Sequence, residues 1–303
     1  MEQQIPLSPI VFLEQNNKNQ IYIMRDDLIP FSFGGNKVRK ALLYFQEIDA
    51  GDYNAVVTYG SGGSNHCRII ANMAAARALN CHIISTDRES NSINRQLIES
   101  FGAVIHVCHV DNVAATIDLT MSLLRDLGSK PYFIAGGGHG NIGTRAYDLA
   151  YNQIADFSKN NNFEFDYIFL ASGTGTTHAG LICGKKRYQK VNQKIVGISI
   201  ARKNPRGAQV IAESVLSYLG RPVGNDLIFD DRFICGGYGR YDNTVERTIR
   251  RLMIEKGLPL DPCYTGKAYA GMEQYLIDQK IQNKNILFIH TGGTPLFCDW
   301  VGR

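Results

Sequence analysis

Short β-rich runs alternate with stretches of helical spacing along most of the chain, and that alternation limits the fold more than any other feature. The β-rich runs are 20–24, 55–58, 81–85, 104–107, 132–134, 167–170, 195–200 and 286–289. Stretches 68–79, 93–101, 114–127, 143–159 and 179–191 carry apolar residues at helical intervals. Strand–helix alternation predicts βαβ units, hence an α/β fold of mostly parallel sheets with helices on both faces. At 303 residues the chain exceeds one ordinary core of roughly 100–150 residues, so two lobes are expected. A hydrophobic share of 44% supports packed cores and excludes a disordered chain.

The longest clean apolar run, 167–171, falls far short of the roughly 20 residues that cross a bilayer. The start, Met1-Glu2-Gln3-Gln4-Ile5-Pro6, has no basic segment leading into an apolar one, so no signal peptide is expected and a cytoplasmic location is. A net charge of +4 is spread out, and its densest cluster, Lys185-Lys186-Arg187, reads as a solvated helix face rather than a nucleic-acid surface. That mild balance suits an enzyme handling small anions. The seven Cys form no CxxC pair, which argues against a disulfide framework and a zinc ribbon. His106, Cys108 and His109 lie on a strand pattern whose alternation splits them between two faces, so no metal site is expected there.

Two turns repeat one arrangement. Strand 55–58 leads through Ser61-Gly62-Gly63-Ser64-Asn65-His66 into a helix, and strand 167–170 through Ser172-Gly173-Thr174-Gly175-Thr176-Thr177-His178 into another. Free backbone N–H groups and the helix dipole converge at such a junction, so each is an anion site. The second lacks the Gly-Lys-Ser/Thr of a Walker A loop. It fits a phosphate cradle, and it also resembles a dinucleotide fingerprint with Arg202 placed for a 2′-phosphate. Lys37, in Phe33-Gly34-Gly35-Asn36-Lys37-Val38-Arg39-Lys40, reads by itself as a surface lysine or as a desolvated nucleophilic amine.

Taken in order, Arg25-Asp26-Asp27, Gly34-Gly35-Asn36-Lys37, Ser64-Asn65-His66-Cys67-Arg68, the 171–180 loop, Asp261-Pro262-Cys263-Tyr264-Thr265-Gly266-Lys267 and His290-Thr291-Gly292-Gly293-Thr294-Pro295 carry a family resemblance. Over about residues 5–300 the chain resembles pyridoxal-phosphate enzymes of the tryptophan-synthase-β-like fold (fold type II). Within them it is most similar to the branch of D-cysteine desulfhydrase and 1-aminocyclopropane-1-carboxylate deaminase. The resemblance implies two parallel-sheet α/β domains with pyridoxal 5′-phosphate in the cleft between them. The larger domain would comprise 1–45 and 157–303, and the smaller would be an insertion at 46–156.

It further implies roles for individual residues. Lys37 would hold the cofactor covalently and move the Cα proton. Gly173, Thr174, Gly175, Thr176 and Thr177 would grip the phosphate. Asn65 and Tyr264 would flank the ring, with Asn65 on its 3′-oxygen. Thr291 would bond the pyridine nitrogen, and a neutral hydroxyl there makes a weaker electron sink. Ser64, Asn65 and His66 would bind the substrate carboxylate, Thr265 would face the substrate, Ser64 and Tyr264 would be catalytic beside Lys37, and Tyr238 would be a further catalytic and substrate-facing residue. The deaminases carry Glu and Leu where this chain has Thr265 and Thr291, so the desulfhydrase branch fits better.

Two segments depart from that pattern. Ser61-Gly62-Gly63 replaces bulkier residues and a Gln, loosening the pocket wall, and Gly137-Gly138-His139-Gly140 replaces Gly-Gly-Ser-Asn. His139 is either a new substrate contact or a plain loop residue. The function implied is β-elimination from a small amino acid, with D-cysteine giving pyruvate, ammonia and hydrogen sulfide. The alternatives are β-replacement, ring-opening deamination, an NADP-dependent oxidoreductase using Arg202, and a non-catalytic binding protein. A homodimer is the family expectation, with no nucleic-acid or membrane partner.

Overall fold

Two sheets hold all the strands among the described residues, 6–87 and 91–302, of the computed structural model. The chain runs β1 (Ile10–Asn16), β2 (Asn19–Arg25), α1 (Asn36–Ala50), β3 (Ala55–Tyr59), α2 (Asn65–Ala75), β4 (Asn80–Ser85) and α3 (Ile93–Ser100). It continues through β5 (Val104–Val107), α4 (Val113–Asp126), β6 (Pro131–Ile134), α5 (Asn141–Asn161), β7 (Tyr167–Ser172), α6 (Thr176–Arg187) and β8 (Lys194–Ser199). It closes with α7 (Arg206–Leu219), β9 (Ile228–Asp230), α8 (Asn243–Lys256), α9 (Thr265–Asp278), β10 (Asn285–His290) and α10 (Thr294–Val301). The six-stranded sheet has the order β1-β2-β10-β7-β8-β9, and the four-stranded sheet β5-β4-β3-β6.

All pairings are parallel except β1 with β2. With that one antiparallel edge strand, the sheets are mostly parallel, as expected. The β1 sequence, Ile-Val-Phe-Leu-Glu-Gln-Asn, pairs with β2 through the tight turn after Asn16, with a register shift between Phe12 and Glu14. Successive residues of the central strands serve opposite cores, as period-two geometry requires. Phe169 packs with the α8–α9 side, while Ile168 and Leu170 pack with α5, α6 and α7. In the smaller sheet, Val56 faces α1, α2 and α3, and Ala55 and Val57 face α4.

The expected cuts at 45/46 and 156/157 fall inside α1 and α5. Val38, Ala41, Tyr44, Phe45 and Ile48 of α1 pack into the core of the four-stranded sheet. Ala146, Tyr147, Ala150, Tyr151 and Ile154 of α5 pack into that of the six-stranded one. We therefore propose counting α1 with the smaller unit and α5 with the larger.

Helices α2 and α6 start three residues earlier than their apolar spacing predicts, at Asn65 and Thr176. Their first turns are polar because they face a cavity rather than a core. The strand at 104–107 ends before Cys108, and His106 instead stacks on His82, its Nε2 2.9 Å from His82 Nδ1. No described helix is long and apolar enough to cross a membrane.

Candidate active site

Parallel strands deliver their following loops to one edge, and the carboxyl ends of both sheets open onto a single cavity of about 390 Å³. The six-stranded sheet supplies the segments after β7, β8 and β10, and the four-stranded sheet those after β3 and β6.

Lys37 reaches this cavity because two glycines bring α1 against the end of β10. Gly34 (φ +62°) leaves no room for a side chain, since a Cβ would sit 2.3 Å from the Asp27 carbonyl oxygen. At Gly35 (φ +103°) a Cβ would sit 2.9 Å from the Thr291 carbonyl oxygen, which accepts the Asn36 amide at 2.9 Å. Lys37 follows on the first helical turn, and burial lowers its amine from 10.5 to about 8. Capture of pyridoxal phosphate by the cofactor-free protein should therefore rise with pH through a midpoint near 8, because only the free amine attacks a carbonyl. The folded amine releases its proton before the unfolded one, so folding stability of the cofactor-free protein gains with pH between about 8 and 10.5. Borohydride trapping across pH measures the first effect, and a midpoint near 10.5 would contradict the burial argument.

The loop after β7 ends in Gly175 (φ +97°), where α6 begins. Helix geometry leaves the amides of Thr176, Thr177 and His178 without carbonyl partners, while Ala179 N bonds the Gly175 oxygen at 2.9 Å. Asn36 Nδ2 donates to Thr177 Oγ1 at 3.0 Å, and the buried Lys40 Nζ donates to Thr176 Oγ1 at 2.7 Å. Lys40 has no carboxylate within ion-pair range among the described residues, and burial together with Lys37 lowers its amine well below the usual value. A second cation under an amide-rich helix terminus suits an anionic phosphate. Arg202 is turned away from the 2′-phosphate role and donates to the Gly173 carbonyl.

At the opposite wall Ser64 caps α2, its hydroxyl oxygen accepting the Cys67 amide at 3.2 Å. The hydroxyl proton and the Asn65 and His66 amides stay available, which makes a carboxylate anchor. Asn65 Oδ1 accepts from Arg68 Nη1 and from Asn94 Nδ2, both at 3.0 Å, so its own amide donor is left for the cavity. Thr58 gives its single proton to the Ile134 carbonyl, so His66 Nε2 must be the donor in its 2.9 Å bond to Thr58. His66 is thus a neutral buried group, and burial with the nearby lysines holds its pKa well below the usual value.

Asp261, fully buried, accepts the amides of Cys263, Tyr264 and Thr265 and so shapes the turn that presents Tyr264. The hydroxyls of Tyr264 and Tyr238 share a 2.7 Å hydrogen bond. Lys267, also buried, donates to the carbonyls of Ile200, Ile234 and Gly237, which fixes the segment carrying Tyr238.

Most residues singled out in the sequence meet here: Lys37, Ser64, Asn65, His66, Gly173, Thr174, Gly175, Thr177, Tyr238, Tyr264 and Thr291 all line the cavity. Three do not. Thr265 is buried with its hydroxyl bonded to Asp261 Oδ2 at 2.7 Å, so it belongs to the turn rather than to the substrate. Thr176 directs its hydroxyl to Lys40 and offers the cavity only its amide. His139 is exposed, stands beside the Thr174 carbonyl and uses its own carbonyl for Tyr44 OH at 2.8 Å. Sequence reasoning missed Asn36, Lys40, Arg68, Asn94 and Lys267. All but Asn94 lie inside the quoted motifs, and Lys40 carried the further signal of a second lysine one helical turn from Lys37.

A family model described as pyridoxal-phosphate dependent enzyme matches residues 1–292. A D-cysteine desulfhydrase of Serratia proteamaculans (strain 568) is 33% identical over 96% of this chain and 91% of its own length. One from Klebsiella pneumoniae (strain 342) is 31% identical over 96% and 92%. A crystal structure of an ACC deaminase homologue superposes with a TM-score of 0.85 at 31% identity, covering 96% of this chain and 91% of that one. The amide-lined terminus of α6, the paired lysines and the donor end of Asn65 suit the phosphate, carbonyl and ring oxygen of that cofactor. The chain belongs to the pyridoxal-phosphate-dependent enzymes, in the two-sheet α/β fold of the ACC deaminase homologue.

Proposed function

We propose that the protein is a pyridoxal-phosphate-dependent lyase that eliminates the β-substituent of a small amino acid, with D-cysteine as its substrate. The observation that carries this reading is one cavity holding the Lys37 amine, a carboxylate anchor at α2 and an anion cradle at α6. Bound cofactor supplies the electron sink that makes a substrate Cα–H acidic.

This chain's residues account for the rest. Ser64 and the α2 amides hold the carboxylate and so aim the Cα–H bond. The Lys37 amine, near-neutral because it is desolvated, takes that proton. Burial raises the Tyr264 phenol well above its ordinary value, so the Tyr264–Tyr238 pair keeps a proton beside the departing sulfur. The Cβ–S electron pair leaves with sulfur, and water completes the products: pyruvate, ammonia and hydrogen sulfide. Neutral Thr291 at the ring position suits loss of a good leaving group rather than storage of a carbanion.

Incubation with D-cysteine should release pyruvate and sulfide in equal amounts, and no release from either cysteine enantiomer would defeat the proposal. Ser64→Ala should lower kcat/KM by about 10–100-fold, the value of a hydrogen bond to a charged group, while cofactor content holds. Equal loss of both would mean that Ser64 serves the cofactor. Ring-opening deamination is the second reading, favoured by the ACC deaminase homologue superposing with a TM-score of 0.85. It predicts ammonia with a four-carbon keto acid from 1-aminocyclopropane-1-carboxylate. The oxidoreductase reading falls with the family assignment and with the engagement of Arg202 by Gly173.

A cytoplasmic homodimer is part of the proposal. Leu119 and Leu123 on α4 and Leu127 at its C-cap, spaced four apart, are exposed and would be covered by a second copy. Sedimentation velocity as a monomer would refute it.

A further inference from the structure

His290 closes β10, wholly buried, and none of the chemistry described above uses it. Its ring is nevertheless bonded at both nitrogens. Nε2 lies 3.2 Å from the Pro259 carbonyl oxygen, and Nδ1 lies 3.3 Å from the Gly292 amide nitrogen. A carbonyl oxygen accepts and an amide donates, so the ring proton is on Nε2 and Nδ1 is the acceptor. The ring is therefore neutral and in one tautomer. Burial lowers its pKa and keeps it neutral against the pull of Asp27, whose Oδ1 stands 3.6 Å from Nδ1. Asp27, itself buried, is neutralised by Arg25, the cross-strand neighbour of His290 on β2, through bonds of 2.8 and 2.7 Å.

The two bonds join the segments that build the site. The Gly292 amide belongs to a turn in which Gly292 (φ +101°) and Gly293 (φ +104°) both take the left-handed region. Two consecutive glycines have little conformational preference of their own, so a bond from outside must fix the turn. Thr291, just before them, lines the cavity, and its carbonyl accepts the Asn36 amide at 2.9 Å, one residue before Lys37. A Cβ on Gly292 would stand 2.6 Å from Gly35 Cα, so a slip of this turn displaces the start of α1 as well. Pro259, the partner of Nε2, leads into Asp261 and the turn that presents Tyr264.

We propose that His290 is a positioning residue for the cofactor site: its bond to the Gly292 amide sets the turn that offers Thr291 to the cavity and holds Lys37 in place. The ring stands behind the cavity wall and acts only through those two residues. The inference rests on the cofactor site and holds whichever β-substituent the enzyme removes.

Two variants separate the two bonds of the ring. His290→Asn puts a carbonyl oxygen where Nδ1 stood but is too short to reach Pro259, and His290→Gln does the reverse. Pyridoxal phosphate added to the cofactor-free proteins should bind His290→Asn within about threefold of its affinity for the native protein. His290→Gln should bind it about tenfold or more weakly, the loss that one unpaired buried amide brings. The absorption maximum of the borohydride-sensitive band should be kept in His290→Asn and displaced in His290→Gln, because Thr291 then meets the cofactor ring differently. Equal impairment of both variants, native behaviour of both, or a loss confined to His290→Asn overturns the inference. None of these outcomes touches β-elimination, which the release of pyruvate decides by itself. Should neither variant fold, nitrogen-15 spectra of the native protein decide, with the His290 ring assigned through its own backbone. A proton on Nε2 and a bare Nδ1 are expected, and a proton on Nδ1 overturns the inference.

Discussion

Lys37→Ala is expected to abolish the visible absorption that borohydride erases and to lower turnover by at least the 10²–10⁴-fold that a positioned acid–base group contributes, roughly. The loss should be larger than for any other single cavity residue, because one amine carries two duties, attachment of the cofactor and transfer of the Cα proton. The truncation should leave the fold intact. Lys37 is half-buried on the first turn of α1, facing the cavity, and its amine is in no ion pair among the described residues. Removing it strands no buried charge and relieves the desolvation that lowers its amine to about 8. Far-ultraviolet circular dichroism should match the native protein. A variant that keeps a borohydride-sensitive band would show that another amine, with Lys40 the nearest candidate in sequence, holds the cofactor.

The fold was legible where one period dominates. Central strands such as 167–172 and 285–290 are buried on both faces and read as continuous apolar runs. The edge strands of the larger sheet gave no such signal: β1 is half exposed, and β9 is only three residues long. Helices α7 to α10 were not among the helical stretches expected from the sequence. The starts of α2 and α6 were misplaced for a functional reason. Both open on residues chosen to face an anion, and those residues interrupt the apolar spacing that marks a helix.

The site was legible where function demands unusual residues at a strand–helix junction, as at 61–66 and 172–178. It was not legible where a side chain works through a distant partner. Lys40 meets Thr176 across 136 positions of sequence, and Arg68 meets Asn94 across 26. Nothing local to either residue announces the pairing. Thr265 shows the converse. Family position put it at the substrate, yet a hydroxyl on the first residue of α9 is also the natural partner of the Asp261 carboxylate four residues before it, and the structure shows that local bond.

Arg39→Ala is the change with the largest expected effect on stability. The Arg39 guanidinium and the Asp26 carboxylate are 1% and 0% exposed and pair at 2.7 Å. Ser8 Oγ donates to the same carboxylate at 2.7 Å, Tyr147 OH donates to its other oxygen, and Arg39 also bonds the Pro6 carbonyl. The cluster therefore ties the start of the chain, the end of β2, α1 and α5 at one buried point. Removing the cation leaves Asp26 charged, buried and short of donors, which costs about 3–5 kcal/mol. At roughly 2–4 °C per kcal/mol, the thermal midpoint should fall on the order of 10 °C. Because Arg39 lies two residues beyond Lys37 on α1, cofactor content should fall in parallel even where the protein stays folded. Asp26→Asn combined with Arg39→Met removes both charges and keeps the volume, so the double variant should lose less than the sum of the single ones. If Arg39→Ala melts within a degree or two of the native protein, the ion pair is not what holds α1 to the larger sheet. In that case Leu43 of α1, buried in the core of the six-stranded sheet, carries the attachment.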